Sequence, residues 1–224
     1  MSDGTLTIGT KRYSSWSLRG WLAVRLAELD VEEVVIPLNG GDPTPAIKAA
    51  TPAGTVPYLE HLGAKVWESL AICEYCAERA PALWPADRAR RAALRSAATE
   101  MHGGFAPLRR AFPMILGAAA EQDARDAALT DEVSASLRRL TALWEGLLWH
   151  SGGPFLHGAA MGVADAMFAP VCTRIRTWDL SVPPPARNYA EAVLAHPLMR
   201  RWADEAAAEP AEWRRDSYEV RLLA

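Results

Sequence analysis

The chain has 224 residues, half of them hydrophobic and 23% charged, enough for one generous domain or two smaller ones with cores of their own. Twenty-four basic residues against 27 acidic ones give a formal charge of −3, so no surplus positive field is available to hold a phosphate backbone and nucleic acid is not expected as a partner. No apolar run approaches the about 20 residues of a membrane span, and the opening MSDGTLTIGTKRYSSW lacks a signal-peptide apolar core, so no membrane partner and a cytoplasmic location are expected.

The first eighty residues carry short alternating or β-branched runs, whereas the remainder carries long stretches with helical spacing. This predicts an α/β unit followed by an all-α unit. Leu6 and Ile8 mark a first strand, and Leu18, Leu22, Leu26 and Leu29 form one apolar stripe on a helix over 16–28. Residues 32–38 read as a second strand, broken by Gly40-Gly41-Asp42-Pro43 before a weakly helical 45–50. The runs 56–61 and 64–67 are joined across Leu62-Gly63 as a hairpin would be, and 68–79 is helical, which completes βαβαββα.

Two prolines within 81–87 mark a linker that ends on Asp87 as a helix cap. The predicted division is therefore 1–80, a linker over 81–88, and an all-helical 89–224. Long helices are expected over 88–116, kinked at Gly103-Gly104 and Pro107, and over 123–150. Another follows over 163–178, and two short ones over 186–208 flank His196-Pro197.

Three patches carry candidate chemistry. Tyr13-Ser14-Ser15-Trp16-Ser17 falls between a strand and a helix, where hydroxyls sit beside unpaired backbone N–H groups and the positive end of the helix dipole. Such a place stabilises an anion, or it is simply an N-cap. Pro57, at the start of a strand, marks an edge, a bulge or a cis Val56-Pro57 bond. Glu68 and Ser69 open a helix, where they either cap it or hold the amine and carboxylate of a small zwitterion.

In this order, strand-YSSWS-helix, then GTVPYL, then WESLAICEY, the patches resemble the thioredoxin-like domain of glutathione transferases, and PALWPAD resembles that family's interdomain linker. The resemblance covers nearly the whole chain. It implies a glutathione co-substrate, bound by the backbone of Val56 before a cis Pro57 and by Glu68 and Ser69 at the γ-glutamyl end. Ser14-Ser15-Trp16-Ser17-Leu18-Arg19 is similar to the SSCS-x-R signature of the serine-type zeta class, with Trp16 in place of cysteine. It implies Ser14 as the hydroxyl that serves the glutathione thiolate, with Ser15 second and Tyr13 third.

Gly103-Gly104-Phe105-Ala106-Pro107-Leu108 is similar to a zeta-class stretch that lines the second-substrate site, although Ala106 replaces a polar contact. Tyr13, Trp16, His102, Arg109 and Arg110 are the candidates for that site; an arginine facing it would favour an anionic co-substrate, and a solvated arginine is the alternative reading. Gly162-Val163-Ala164-Asp165 corresponds to the family's buried capping box, and Asp165 is read as structural. Cys73 and Cys76 form a C-x-x-C, but they lie inside a later helix, whereas a thioredoxin-type dithiol sits where Ser14 and Ser17 are; they read as small buried thiols, and no metal is expected. The resemblance also implies a homodimer, in contact through the helices that begin near residues 68 and 88. The functions in view are transfer of glutathione to a small electrophile, a maleylacetoacetate-type cis–trans isomerisation, and a non-catalytic interaction module.

Overall fold

The computed structural model describes residues 2–39 and 44–223, so the expected break at Gly40-Gly41-Asp42-Pro43 lies outside the described residues. The α/β part runs β1 (Gly4–Gly9), α1 (Ser15–Leu26), β2 (Glu32–Ile36), α2 (Pro45–Ala50), β3 (Tyr58–His61), β4 (Ala64–Trp67) and α3 (Ser69–Arg79). This is the expected βαβαββα order. The sheet order is β2-β1-β3-β4, with β1 parallel to β2 and antiparallel to β3, and β3 antiparallel to β4. Register pairs Leu6 with Leu59, and both side chains are buried under α1 and α3. The third strand starts two residues later than its apolar run suggests, because Val56-Pro57 is cis and pairing begins at Tyr58.

α1 packs closely on that corner. A Cβ on Gly20 would sit 2.8 Å from Pro57 Cγ, so the helix approaches the proline only because residue 20 has no side chain. On its other side α1 packs against the helical part, where Arg19 Nε donates to the Met167 carbonyl at 3.0 Å. The indole of Trp202 likewise donates to the Lys11 carbonyl at 3.1 Å.

A 3₁₀ turn over Pro81–Leu83 leads to α4 (Arg88–Gly103), capped by Asp87, whose carboxylate accepts from the Arg90 N–H at 2.8 Å. The single kinked helix expected over 88–116 is instead two. Gly104 is extended, Phe105 is left-handed at φ 55°, and α5 (Ala106–Ala111) restarts with Pro107 in its first turn, where a missing N–H costs nothing. The helix expected over 123–150 is also two, α6 (Gln122–Ala128) and α7 (Asp131–Trp149). Thr130 is extended and its hydroxyl accepts from the Val133 N–H at 3.4 Å, an N-cap that the continuous spacing conceals.

α8 (Val163–Thr177) is buried along nearly all of its length, and α9 (Pro184–Ala195) and α10 (Pro197–Ala207) pack around it. Its start hangs on Asp165. The carboxylate accepts from the N–H groups of Leu156, His157 and Gly162 and from the Tyr189 hydroxyl, at 2.8–3.3 Å. With no cap side chain on Gly162, Asp165 serves the helix start and the preceding loop together.

Beyond residue 208 the sequence pattern marks no individual helix within the expected all-helical 89–224. There the chain forms 3₁₀ turns at Ala211–Trp213 and Val220–Leu222 around α11 (Asp216–Glu219), and it returns to the β1–α1 loop. The Glu209 carboxylate accepts from the Lys11 and Arg12 N–H groups, and Glu219 accepts from the Arg12 guanidinium and the Tyr13 hydroxyl. Among the described residues, no helix is long and apolar enough to cross a membrane.

Candidate functional site

Two adjoining cavities open on the α/β part, one lined by that part alone and the other lying between it and the helical part. One, of ≈250 Å³, is lined by Trp16, Thr55, Val56, Pro57, Glu68 and Ser69. The other, of ≈460 Å³, shares Trp16, Thr55 and Val56 with the first and extends over Ser14 and Ser15 to Arg109, Arg174 and Tyr218. The three sequence patches, spread over residues 13–69, thus meet at one groove.

In the smaller cavity, neither Glu68 nor Ser69 caps α3. Glu68 stands at the N-cap with φ 70°, a left-handed conformation costly for a residue with a Cβ, and its carboxylate makes no cap bond. The Ser69 hydroxyl is buried and has no hydrogen-bond partner. Leaving a buried hydroxyl unpaired costs about 1–3 kcal/mol. Among the described residues the Val56 N–H and C=O are likewise unpaired. The cavity therefore offers a hydroxyl and a peptide edge without partners among the described residues, and a carboxylate whose contact there is His102 at 3.7 Å.

At the N-terminus of α1 the hydroxyls are ordered as a chain. The Gly9 N–H donates to Ser17 Oγ at 3.0 Å, and the Ser17 and Ser14 hydroxyls are hydrogen-bonded at 2.7 Å. Ser14 Oγ also accepts weakly from the Ser17 N–H, at 3.4 Å, so it caps the helix while lining the larger cavity. The Ser15 hydroxyl, half-buried, makes no bond within the described residues. Tyr13 lines the larger cavity with its hydroxyl engaged: the hydroxyl donates to Glu219 at 2.6 Å, and the ring stacks on Tyr218 with centroids 4.8 Å apart. Burial and the Glu219 bond both raise its pKa, so it holds its proton.

Trp16 forms the wall between the cavities. The Arg19 and Arg109 guanidinium carbons lie 4.4 and 5.2 Å from its ring centroid, and His102 meets it edge-on at 5.3 Å. Such cation–π contacts are worth about 0.5–2 kcal/mol each. His102 and Arg110 line neither cavity. His102 sits behind Trp16, 3.7 Å from Glu68, where burial pulls its pKa down, Glu68 opposes this and the arginines reinforce it. Arg110 is exposed, and its carbonyl accepts from Arg221.

Two residues that line the groove escaped the sequence reading. Arg174 is an arginine inside a helix otherwise buried all round, and that incongruity was its available signal. Tyr218 sits in the terminal segment, whose short turns give no periodic pattern. Cys73 and Cys76 are fully buried in α3; burial pushes Cys73 well up and Cys76 to about 12, so neither is a thiolate near neutral pH. Among the described residues no cluster of ligands able to hold a metal ion occurs.

The fold is that of the glutathione transferases, a thioredoxin-like unit with a four-stranded mixed sheet followed by a helical unit. Residues 13–79 match the sequence model of the glutathione S-transferase N-terminal domain. Among solved structures the chain is similar to a glutathione transferase homolog from Burkholderia gl BGR1 with bound glutathione, at 22% identity, 92% coverage of this chain, 98% of that chain and a TM-score of 0.69. It is also similar to the Tau class glutathione S-transferase of mango, Mangifera indica L. (22% identity, 92% and 96% coverage, TM-score 0.69). A third is the theta class enzyme of the citrus canker pathogen Xanthomonas axonopodis pv. citri with glutathione bound (22%, 91% and 98%, 0.65). None of the curated proteins compared with the chain matches it.

Proposed function

We propose that this chain is a glutathione transferase of the serine type, which adds the glutathione thiolate to a small electrophile. The observation that carries the reading is the buried, unpaired Ser69 hydroxyl beside the uncapping Glu68 and the free Val56 peptide edge. In this reading the γ-glutamyl carboxylate accepts from Ser69, the Glu68 carboxylate takes the ammonium, and the cysteinyl backbone pairs with Val56 before Pro57. The groove then leads the thiol along Trp16 to the N-terminus of α1.

There the hydroxyl chain supplies the chemistry. As the structure stands, Ser14 donates to Ser17 Oγ, which also accepts from the Gly9 N–H; in this reading the hydroxyl rotors turn when the thiol arrives, so that the Ser17 O–H points to Ser14 Oγ and the Ser14 proton goes to the sulfur. A hydroxyl bond to a charged sulfur is worth about 1.5–3 kcal/mol and the helix terminus about 0.3–1, together a thiol pKa lowered by about one to three units. Ser15 is the second donor within the same cavity. The thiolate so held is the nucleophile.

The direct test is glutathione binding by titration calorimetry at millimolar ligand. Saturable binding, weakened by Ser69→Ala, is expected. A protein that leaves glutathione unbound at that concentration would be an interaction module instead of an enzyme.

A further inference from the structure

Among the described residues the larger cavity carries an unbalanced charge: Arg109 from α5 and Arg174 from α8 both line it, and no described aspartate or glutamate does. Arg174, 4% exposed, uses Nε and Nη1 on the carbonyls of Phe112 and Pro170, at 2.7 and 3.0 Å. Among the described residues its Nη2 makes no hydrogen bond, Arg109 makes no ion pair, and Arg109 Nε is buried without a hydrogen-bond partner. Behind Trp16, Arg19 is 1% exposed and both of its terminal nitrogens are unpartnered. The nearby carboxylates are engaged elsewhere, Glu219 by Arg12 and Tyr13, and Glu68 on the far side of Trp16.

Buried cations without a counter-ion are costly, and they lower one another. Burial and the neighbouring guanidiniums bring Arg19 and Arg174 down to about 9. An anion in the cavity relieves both penalties, and the planar forks of two arginines match a carboxylate.

We propose that the cavity between Arg109, Arg174 and the α1 N-terminus takes a second substrate bearing a carboxylate, held by these two arginines with its electrophilic carbon toward the thiolate. This rests on the transferase reading. Arg109 and Arg174 come from the helical part, whereas the residues proposed for glutathione line the other cavity, which assigns the arginines to the acceptor. Trp16, stacked between Arg19 and Arg109, keeps the Arg109 guanidinium at the cavity wall.

The test compares 4-chloro-3-nitrobenzoate with its methyl ester. In each, the thiolate sulfur bonds to C4 and chloride leaves with the electrons of the C–Cl bond, so the bond changes are the same and the remote group is charged in one and a neutral, more electron-withdrawing ester in the other. Each kcat/KM is divided by the uncatalysed rate constant of the same compound. The acid-to-ester ratio is expected to be about 10 or more in the unaltered protein, to fall about 10- to 100-fold in Arg109→Gln, the size of one charge-assisted hydrogen bond, and to be partly kept in Arg109→Lys. Arg174→Lys, which keeps the charge and changes the fork, is expected to lower it as well. A ratio at or below one, or one indifferent to both arginines, overturns the proposal.

Two further arms separate the alternatives. If the arginines serve the glycyl carboxylate of glutathione, the glutathione monoethyl ester binds more weakly to the unaltered protein than glutathione does, Arg109→Gln erases that difference, and the acceptor ratio stays near one, which also overturns the proposal. If neither chloride is turned over, calorimetric binding of unreactive 3-nitrobenzoate to protein saturated with S-methylglutathione decides. Binding lost in Arg109→Gln keeps the anion site while the transferase reading falls, and no binding removes both.

Discussion

Replacing Ser69 with alanine separates a binding role from a structural one, because the two have opposite signs in stability. The hydroxyl is 1% exposed, has no partner and caps nothing, so its removal takes away a desolvated polar group and no bond. Relief of part of the about 1–3 kcal/mol such a group costs predicts an unliganded protein as stable as the parent or more so. At this chain length each kcal/mol is about 2–4 °C in Tm. Glutathione affinity moves the other way, since the lost bond is one to a carboxylate, worth about 1.5–3 kcal/mol, or about 10- to 150-fold in Kd. Differential scanning calorimetry without ligand and titration calorimetry with glutathione read the two quantities on the same preparations. A Ser69→Ala protein that melts several degrees lower while binding glutathione as the parent does would refute the reasoning.

Asp165→Ala strips four donors of their shared buried acceptor, at about 1–3 kcal/mol for each one left unpaired, against a typical total stability of about 5–15; loss of the cooperative near-ultraviolet melt is expected. Glu33 is raised by burial, but the Lys11, Trp21 and Arg25 bonds outweigh this and hold it below its ordinary 4.5. A carboxyl depressed on folding stabilises above its unfolded pKa and loses that contribution as pH falls through the folded value. Denaturant midpoints of the parent are therefore expected to drop below about pH 4.5, and those of Glu33→Gln, already lower, to drop less. For assembly, sedimentation equilibrium at micromolar concentration is expected to give twice the chain mass, with Trp67, 46% exposed at the β4 edge, near the contact; a monomer contradicts the dimer.

The βαβαββα element order was legible because β-branched runs, glycine pairs and one apolar stripe leave few ways to divide the first eighty residues, whereas the sheet order β2-β1-β3-β4 came from the structure. The Glu68-Ser69 and Val56-Pro57 patches were legible as places, and the choice between cap and ligand site needed the observation that neither the Glu68 nor the Ser69 side chain bonds its own helix. Helix boundaries failed where a cap is hidden inside continuous apolar spacing, as at Thr130, and where left-handed Phe105 turns a kink into a break. Arg174 and Tyr218 were invisible for different reasons. Which of the two arginines of α8, Arg174 or Arg176, reaches a cavity depends on packing between distant segments, and the terminal turns are held by ion pairs such as Arg12–Glu219, more than two hundred residues apart in sequence, which no local pattern encodes.

The central claim is that the Ser17–Ser14 hydroxyl pair at the start of α1 holds glutathione as its thiolate. The ultraviolet absorbance of the bound thiolate, titrated with pH on the parent, Ser14→Ala, Ser17→Ala and Ser15→Ala proteins, tests it most directly. The account predicts a bound thiol pKa about one to three units below that of free glutathione in the parent. It returns most of the way in Ser14→Ala, part of the way in Ser17→Ala, and changes least in Ser15→Ala, with affinity nearly constant throughout. Tight binding with an unshifted thiol in the parent, or a shift that survives Ser14→Ala and vanishes in Ser15→Ala, contradicts it.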